Sequence, residues 1–352
     1  MESRRIALIV SPWYPVPPTG YGGIELMCYY LARELSGRGH KVTVIGRQGS
    51  QGPFETLALA PESWSRQLGT RDQAARHSLF LYRAYEIVRK RAFDVIHDHS
   101  GPPGILVAAT SRLQAPGVAT LHGALSEAEG EFLAAVDGQV NLVAISRAQQ
   151  SMVAGVGWRG VVHNAIDAQQ YSPITKRDEK DDYVVQLARI TPEKGQHLAI
   201  EMAKRLNVRL VLAGKVDMDS HRYFEEKIKP NLNGRVTWLE NVEGKQKVEL
   251  LAHARAMVFP IQWEEPFGIA MIEAMVSGTP VIALSRGAAA EVVEPGITGW
   301  LANDLDGMVD AYTRLDQIDL QRCVEEAARR FGPAQMADGY LQVYERAIEQ
   351  TL

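Results

Sequence analysis

The chain has 352 residues, of which 46% are hydrophobic and 23% charged, a composition typical of a globular protein long enough for two domains. With 38 lysines and arginines against 42 aspartates and glutamates, the net charge is −4, which gives no electrostatic support for a nucleic-acid partner. The two cysteines, Cys28 and Cys323, form no metal or disulfide pattern and favour a reducing, cytoplasmic setting. Apolar runs are short, so we expect neither a secretory signal nor a membrane span.

Short apolar strands alternate with amphipathic helices along the whole chain. In the first half, the predicted strands are RIALIV, HKVTVIG, FDVIHDH, GVATLHG and VNLVAIS, and the predicted helices between them are IELMCYYLARELSGRG and SLFLYRAYEIVRKRAF. The alternation restarts after the polar segment 172–182. The strands predicted there are DYVVQLARI, VRLVLAG, RVTWLEN, RAMVFPI, TPVIALS and GWLAND, separated by the helices GQHLAIEMAKRL, KVELLAHA and IAMIEAMVSG.

Two successive series of this kind predict an α/β protein with two doubly wound parallel-sheet domains, each with helices on both faces. We expect one domain over residues 1–171 and a second over residues 172–332, followed by a final helix within 333–352. Ligands of such sheets bind beyond the carboxyl ends of the strands, so the loops there are the candidate sites.

The first such loop, SPWYPVPPTGYGGIE, ends in Gly22 and Gly23 immediately before a predicted helix. Backbone N–H groups and the helix dipole favour a phosphate at this position, although an ordinary turn is an equally good explanation. An NAD-dependent oxidoreductase is one alternative function. It would require the spacing G-x-G-x-x-G and an acidic residue after the second strand, and this chain has neither.

Two cations follow the first predicted strand of the second domain. In QLARITPEKG, Arg189 and Lys194 lie on either side of a Thr-Pro turn. Solvated surface charges would explain them, but their position at the carboxyl end of a strand also suits a diphosphate.

The segment WEEPFGIAMIEAM, residues 263–275, carries three glutamates in an otherwise apolar stretch. A proline and a glycine end the strand and turn the chain, and the helix start offers an anion site at the backbone N–H groups of Phe267, Gly268 and Ile269. Glu265 precedes this helix and Glu273 lies inside it. A buried carboxylate is costly unless donors satisfy it, so Glu273 either caps a backbone turn or binds a vicinal diol such as that of a ribose.

The segment EPFGIAMIE, with two glutamates separated by seven residues, resembles the signature of the retaining family-four glycosyltransferases with the GT-B fold. The resemblance extends over nearly the whole chain, through YGGIE, FDVIHDH, TLHG, AISRAQ, VVHNAID, LARITPEKG, LVLAG, EAMVSGTPVIA and GAAAEVVEPGITGWL. The longer VFPIQWEEPFG is similar to the branch that contains an avilamycin-pathway glycosyltransferase. The resemblance to this family implies two Rossmann-like domains facing a central cleft, with the final helix returning to the first domain.

The resemblance implies that a sugar is transferred from a nucleoside-diphosphate sugar, with UDP-sugar favoured, to a hydroxyl acceptor with retention of configuration. Glu265 would bind the donor sugar and Glu273 the ribose, while Arg189 and Lys194 would stabilise the leaving diphosphate. Further implied donor contacts are the backbone groups of Gly22, Gly23, Val242, Phe267, Gly268 and Ile269.

His122 in TLHG would lie beside the transferred sugar, although it could instead order a loop. The base would be read near Val242, where Asn241 replaces a glycine common in the family. Asparagine tolerates a left-handed backbone, so we expect the turn to persist, with base identity left open.

Acceptor groups are expected from the first domain, at Trp13, Tyr14, Tyr21, Glu25 and His99, although the aromatic residues could equally pack in the core. The acceptor is a small molecule or a glycan. The basic amphipathic segment 71–93 is similar to segments of relatives that work at membrane surfaces, but a solvated helix is the favoured interpretation.

No cofactor or metal is expected. The pair Asp217 and Asp219 matches an Asp-x-Asp metal signature, but it begins a polar loop. His97 and His99 alternate with Asp98 at a strand end, so the histidines point away from the aspartate. A non-catalytic sugar-nucleotide-binding subunit is the last alternative, and the presence of all the charged site residues argues against it.

Overall fold

The computed structural model describes residues 2–20 and 22–350. The chain divides into two compact units. Unit 1 comprises Met1–Ala165 and Pro333–Leu352, and unit 2 comprises Ile166–Gly332.

The division falls six residues before the predicted boundary at 171/172. The intervening segment is bonded to unit 2, because the Ile166 N–H donates to the Phe331 carbonyl at 2.7 Å and the Tyr171 hydroxyl donates to Glu273 at 2.8 Å. The polar composition of 172–182 therefore marks a surface segment of unit 2 rather than the boundary itself.

The described residues of unit 1 form seven strands: β1 (Arg5–Ile9), β2 (Lys41–Arg47), β3 (Glu55–Ala60), β4 (Val95–Asp98), β5 (Gly117–Leu121), β6 (Asn141–Ala144) and β7 (Gly160–Val161). They form one parallel sheet of order β3-β2-β1-β4-β5-β6-β7. Its helices are α1 (Gly23–Gly37), α2 (Gln73–Lys90), α3 (Pro102–Thr110), α4 (Glu127–Ala135), α5 (Arg147–Ser151) and, from the end of the chain, α13 (Pro333–Glu349).

Both faces of this sheet are covered. Ile6, Ala7, Leu8 and Ile9 of β1 are all fully buried, and successive strand residues point to opposite faces. Helices α1 and α13 pack against each other, and α2 packs on α3. A central strand whose two faces are both covered thus requires a continuous run of apolar residues.

Unit 2 contains six strands: β8 (Tyr183–Leu187), β9 (Arg209–Ala213), β10 (Val236–Leu239), β11 (Ala256–Phe259), β12 (Val281–Leu284) and β13 (Gly299–Ala302). They form a second parallel sheet of order β10-β9-β8-β11-β12-β13. Its helices are α6 (Gln196–Leu206), α7 (His221–Tyr223), α8 (Gly244–His253), α9 (Ile269–Val276), α10 (Ala289–Val292), α11 (Leu305–Thr313) and α12 (Leu320–Phe331).

The predicted fold class, two doubly wound parallel sheets with helices, is confirmed. The strands β3 and β7 were not predicted, since both lie at sheet edges: β3 is only partly buried and β7 has two residues. Among the described residues, no helix is long and apolar enough to cross a membrane.

Candidate active site

Two loops at the carboxyl ends of neighbouring strands carry the charged groups of unit 2. Strands β8 and β11 pair in parallel, so the loops that follow them start side by side. The backbone N–H of Gln262 in the second loop donates to the Glu193 carbonyl in the first at 2.7 Å. The first loop is braced by amide side chains: Gln186 donates to the Lys194 carbonyl at 2.6 Å, and Gln196 to the Arg189 carbonyl at 2.8 Å.

Lys194 and Glu265 form an ion pair between these loops. Their side chains are only 13% and 12% exposed. Trp263 also binds this carboxylate, since its indole N–H donates to Glu265 Oε2 at 3.0 Å. The Lys194 ammonium lies 4.7 Å from the centre of the Trp263 ring, a cation–π distance. Trp263 was not predicted as a site residue, although its position two residues before Glu265 was a signal.

Arg189 is placed differently from Lys194. Its half-exposed guanidinium pairs with Asp217, the first carboxylate of the Asp-x-Asp segment. Asp219 is exposed and lies in the 3₁₀ turn Met218–Ser220. Among the described residues, no three His, Cys, Asp or Glu side chains are grouped to hold a metal ion. The role that the structure gives Asp217 is therefore to neutralise a cation.

Helix α9 begins at Ile269, directly after Gly268. Gly268 has a φ of +84°, and a Cβ there would approach the Met271 Cε to 2.6 Å. Glycine supplies no capping side chain, so the first N–H groups of α9 are left to a ligand or water. Phe267 is buried and packs edge-on against Phe331, with ring centres 5.8 Å apart.

The backbone at Glu265 is held by the segment after β12. The Ala288 N–H donates to the Glu265 carbonyl at 2.8 Å, and the Gly287 N–H donates to the Glu264 carboxylate at 2.6 Å. Gly287 has a φ of +53°, and a Cβ there would lie 2.2 Å from the Glu265 nitrogen. Gly287 was not predicted as a functional position, and it is one that tolerates no side chain.

Glu273 is not a carboxylate awaiting its partner. It is 7% exposed, and its Oε1 accepts hydrogen bonds from the Tyr171 hydroxyl at 2.8 Å and the Lys247 ammonium at 2.5 Å. Among the described residues, no donor bonds to its Oε2. Protein donors therefore already occupy Oε1, and the binding of a ribose diol at Glu273 stays a prediction. Neither Lys247 nor Tyr171 was predicted.

Val242, the expected base contact, is buried and lies two residues before α8. The expected left-handed turn at Asn241 is absent. Asn207 is the only residue other than glycine with a positive φ in the described part of the chain. The replacement of the family's glycine by Asn241 therefore leaves an ordinary backbone here.

In unit 1, Gly22 is the N-cap of α1 and Gly23 its first residue. Glu25 lies in the first turn and is 4% exposed. Burial raises the pKa of Glu25 from 4.5 to about 7, and a hydrogen bond to its own backbone lowers it by less. The carboxyl is thus largely neutral below pH 7, and in that form it would not repel an anion at this helix N-terminus.

The aromatic residues of the first loop are only partly brought to one place. Trp13 is 6% exposed and packs against the His77 ring, with ring centres 5.9 Å apart, which favours a packing role. Tyr14 is half-buried. Tyr21 lies outside the described residues.

Three histidines cluster at the carboxyl ends of β4 and β5. His99 Nδ1 and His122 Nε2 are 3.0 Å apart, so one ring donates to the other. His97 is bonded at both nitrogens, to the Tyr344 hydroxyl at 2.7 Å and to Thr120 Oγ1 at 2.8 Å. Burial lowers the pKa of His122 to about 4 and the pKa of both other rings well below the usual value. All three imidazoles are therefore neutral near pH 7.

As predicted, Asp98 points away from these rings. Its carboxylate accepts hydrogen bonds from the Tyr85 hydroxyl at 2.8 Å and the Ser100 backbone N–H at 2.6 Å. The sequence His97-Asp98-His99 thus divides into a histidine cluster and a separately satisfied aspartate.

Comparisons with known proteins agree with this fold. Residues 21–170 match the family model for Glycosyltransferase Family 4, and residues 167–327 match that for Glycosyl transferases group 1. A D-inositol 3-phosphate glycosyltransferase of Mycolicibacterium smegmatis is 26% identical, with 98% of this chain and 92% of that protein aligned. Spore coat protein SA of Bacillus subtilis is 22% identical over 97% of this chain and 99% of its own length.

Two solved structures show the same architecture. AviGT4, a glycosyltransferase involved in avilamycin A biosynthesis, is 24% identical, with 98% of each chain covered and a TM-score of 0.76. HepE of Anabaena, in complex with UDP and glucose, is 19% identical and covers 97% of this chain and 100% of its own, with a TM-score of 0.74.

The two sheets and their likeness to these structures define a protein of the GT-B class. The two family matches, which together run from residue 21 to residue 327, show that the chain belongs to the glycosyltransferases, with a family 4 domain followed by a group 1 domain. The resemblance seen in the sequence is confirmed, and the oxidoreductase and non-catalytic alternatives are wrong.

The first prediction concerns pH and Glu25. Its folded-state pKa of about 7 lies above its ordinary 4.5, so between these values the folded protein keeps a proton that the unfolded chain releases. Stability contributed by this group is therefore lost as pH rises through 7. Replacing Glu25 with Gln should stabilise the protein at about pH 8.5 by on the order of 3 kcal/mol, and by much less at about pH 5.

Denaturant unfolding at both pH values measures this difference. Glu34→Gln on the same helix is the control for the loss of a glutamate from α1. A pH-independent effect of Glu25→Gln would show that the Glu25 carboxyl is not protonated in the fold.

The second prediction concerns the support of Glu265. Gly287→Ala should lower donor turnover at least tenfold, because the added Cβ displaces the Glu265 backbone. Gly296→Ala is the matched control: its φ is +78°, but the nearest atom to an added Cβ is 3.5 Å away. Equal turnover in the two variants, measured on folded protein, would contradict a positioning role for Gly287.

Proposed function

We propose that this glycosyltransferase is a retaining, metal-independent hexosyltransferase that moves a sugar from a UDP-sugar to a hydroxyl of a small-molecule or glycan acceptor. The observation that carries the proposal is the buried Lys194–Glu265 pair, in which Glu265 belongs to the loop that leads to the N-terminus of α9. An ammonium, a carboxylate and open helix N–H groups are the groups that a diphosphate joined to a polyhydroxylated sugar needs.

When the donor binds, Lys194 and Glu265 each exchange the other for a group of the donor. The diphosphate takes the Lys194 ammonium, and the sugar hydroxyls donate to the Glu265 carboxylate that the lysine has left. Neither buried charge is unpaired before or after the exchange, which limits the desolvation cost. Arg189 is drawn from Asp217 in the same way, with less to overcome because that pair is more exposed.

Stabilisation of the departing diphosphate makes the main contribution to catalysis. As the bond from the sugar's anomeric carbon to the phosphate oxygen breaks, negative charge grows on the diphosphate, where Lys194, Arg189 and the α9 N-terminus counter it. The acceptor oxygen attacks from the same face, and its proton passes to the departing phosphate oxygen. No carboxylate acts as a nucleophile, since Glu265 binds sugar hydroxyls.

Unit 1 supplies neutral groups to the sugar and the acceptor. His122 is uncharged near pH 7 because burial lowers its pKa to about 4, so it acts as a hydrogen-bonding partner rather than a cation. Glu25 and His99 are proposed acceptor-side groups, and the α1 N-terminus at Gly22 and Gly23 a phosphate contact. Tyr14 and Tyr21 remain proposed acceptor contacts, with Trp13 supporting the loop.

The location of the enzyme, the base of the donor and the absence of a cofactor and of a nucleic-acid partner also belong to the proposal. The enzyme is placed in the cytoplasm, supported by Cys28 and Cys323, which are buried free thiols. The base is uracil, read near Val242, supported by the UDP in the HepE complex. The enzyme needs no organic cofactor and no nucleic-acid partner.

The proposal is tested by donor binding and hydrolysis. Calorimetry with UDP, GDP and ADP should show UDP binding most tightly, and mass spectrometry of UDP-sugars should show slow hydrolysis of the true donor. Glu265→Gln should keep UDP affinity within about threefold while hydrolysis falls at least a hundredfold, because the sugar hydroxyls lose a charged acceptor while the diphosphate keeps Lys194 and the α9 N-terminus.

Glu264→Gln is the matched control for this variant. Its carboxylate bonds the Gly287 N–H and is exposed, so hydrolysis should stay near wild type. A folded Glu265→Gln protein that loses UDP binding but turns over bound donor normally would reverse the roles assigned to the two glutamates. Failure of all three nucleotides to bind would refute the proposed function.

Metal independence gives a separate prediction. Excess EDTA should leave the initial transfer rate within about twofold, whereas Lys194→Ala should reduce it about a hundredfold or more, because a buried cation is lost from the leaving group. Lys215→Ala, an exposed lysine in the same unit, should have little effect. Loss of activity with EDTA that magnesium or manganese restores would make Asp217 and Asp219 the groups to test.

A further inference from the structure

The ion pair between Lys247 and Glu273 lies outside the roles assigned so far. The Lys247 ammonium donates to Glu273 Oε1 at 2.5 Å, and the two side chains are 27% and 9% exposed. The Tyr171 hydroxyl donates to the same oxygen at 2.8 Å. Two donors thus converge on one oxygen of the carboxylate, while no donor of the described residues bonds to Oε2.

Stability alone gives a weak reason for this arrangement. A buried ion pair barely repays the cost of removing its charges from water, and an apolar pair of similar volume is often at least as stable. Lys247 is also in the first turn of α8, where the helix dipole disfavours a cation. The remaining residues of α9 are apolar, so Glu273 is the only member of that helix that requires such a partner.

The position of Lys247 agrees with a role beside a nucleotide. Helix α8 starts two residues after Val242, the proposed base contact, and Lys247 is one turn further along. Any group hydrogen-bonded to Glu273 Oε2 lies within about 7.5 Å of the Lys247 ammonium, given ordinary hydrogen-bond lengths. The ammonium has three donors and uses one on Glu273.

We propose that Lys247 is a positioning residue that determines how the ribose is recognised. By holding Oε1, it fixes the carboxylate so that Oε2 alone accepts a hydrogen bond, from one of the two ribose hydroxyls. The other hydroxyl is not bound by Glu273. This inference rests on the proposed function, because it requires a nucleotide at Glu273.

The wild-type protein provides the first test, with no variant needed. UDP, 2′-deoxy-UDP and 3′-deoxy-UDP are compared by calorimetry. One deoxy nucleotide should bind at least tenfold more weakly than UDP, and the other should stay within about threefold. Equal losses with both would overturn the proposal, since they would mean that the diol is bound as a unit.

Variants of Lys247 test whether this lysine causes the difference in affinity between the two deoxy nucleotides. Lys247→Met keeps the length of the side chain without its charge, and it should weaken UDP at least tenfold and abolish the difference between the two deoxy nucleotides. Lys247→Arg should restore most of both properties. Lys245→Met, an exposed lysine of the same helix, is the matched control and should behave as wild type. UDP affinity within twofold of wild type in folded Lys247→Met would overturn the proposal.

A double-mutant cycle separates positioning from folding. If Lys247 acts through Glu273, Lys247→Met should add less than about threefold to the loss of UDP affinity in Glu273→Gln. The donor KM should rise in Lys247→Met while kcat is retained, because the ribose is remote from the breaking bond. Additive losses, or a fall in kcat alone, would count against it. A wild-type protein that binds none of UDP, GDP and ADP would instead refute the proposed function itself.

Discussion

A charge withdrawn from water must meet an opposite charge or a set of donors, and this constraint organises unit 2. Its candidate ligand groups have such partners: Lys194 pairs with Glu265, the half-exposed Arg189 with Asp217, and Glu273 of α9 with Lys247. The partners allow these groups to be positioned before a ligand arrives. These charges are therefore paired with one another, and a group of a charged ligand can replace one member of a pair.

In unit 1, the cost of burying ionisable groups is reduced by keeping them neutral rather than by pairing opposite charges. Its buried ionisable groups are mostly held neutral: burial raises the pKa of Glu25 to about 7 and lowers the pKa of His122 to about 4. The histidine cluster is joined by neutral hydrogen bonds to Thr120 and Tyr344. Neutral groups can bind hydroxyls of either the sugar or the acceptor without adding charge to them.

Sequence periodicity was sufficient for the fold because each buried parallel strand is a continuous apolar run, as β1 and β11 illustrate. The loop residues were also found, since Glu265, Gly268 and Glu273 belong to one local segment. The residues that pair with them were not found from the sequence. Tyr171 and Lys247 are 102 and 26 residues from Glu273, and Gly287 reaches Glu265 only through the neighbouring strand β12. Local patterns cannot specify such pairs, because the pairing depends on how strands are ordered in the sheet.

The neutral histidines of unit 1 explain why the proposed reaction does not use one of them as its base. A histidine base that took the acceptor proton would become a cation in a buried site. His122, with its lowered pKa, is a poor proton acceptor. The departing diphosphate gains negative charge as the glycosidic bond breaks, so its oxygen becomes the better base at the moment the acceptor oxygen bonds to the sugar. Transferring the proton there reduces the charge that Lys194 and Arg189 must still balance.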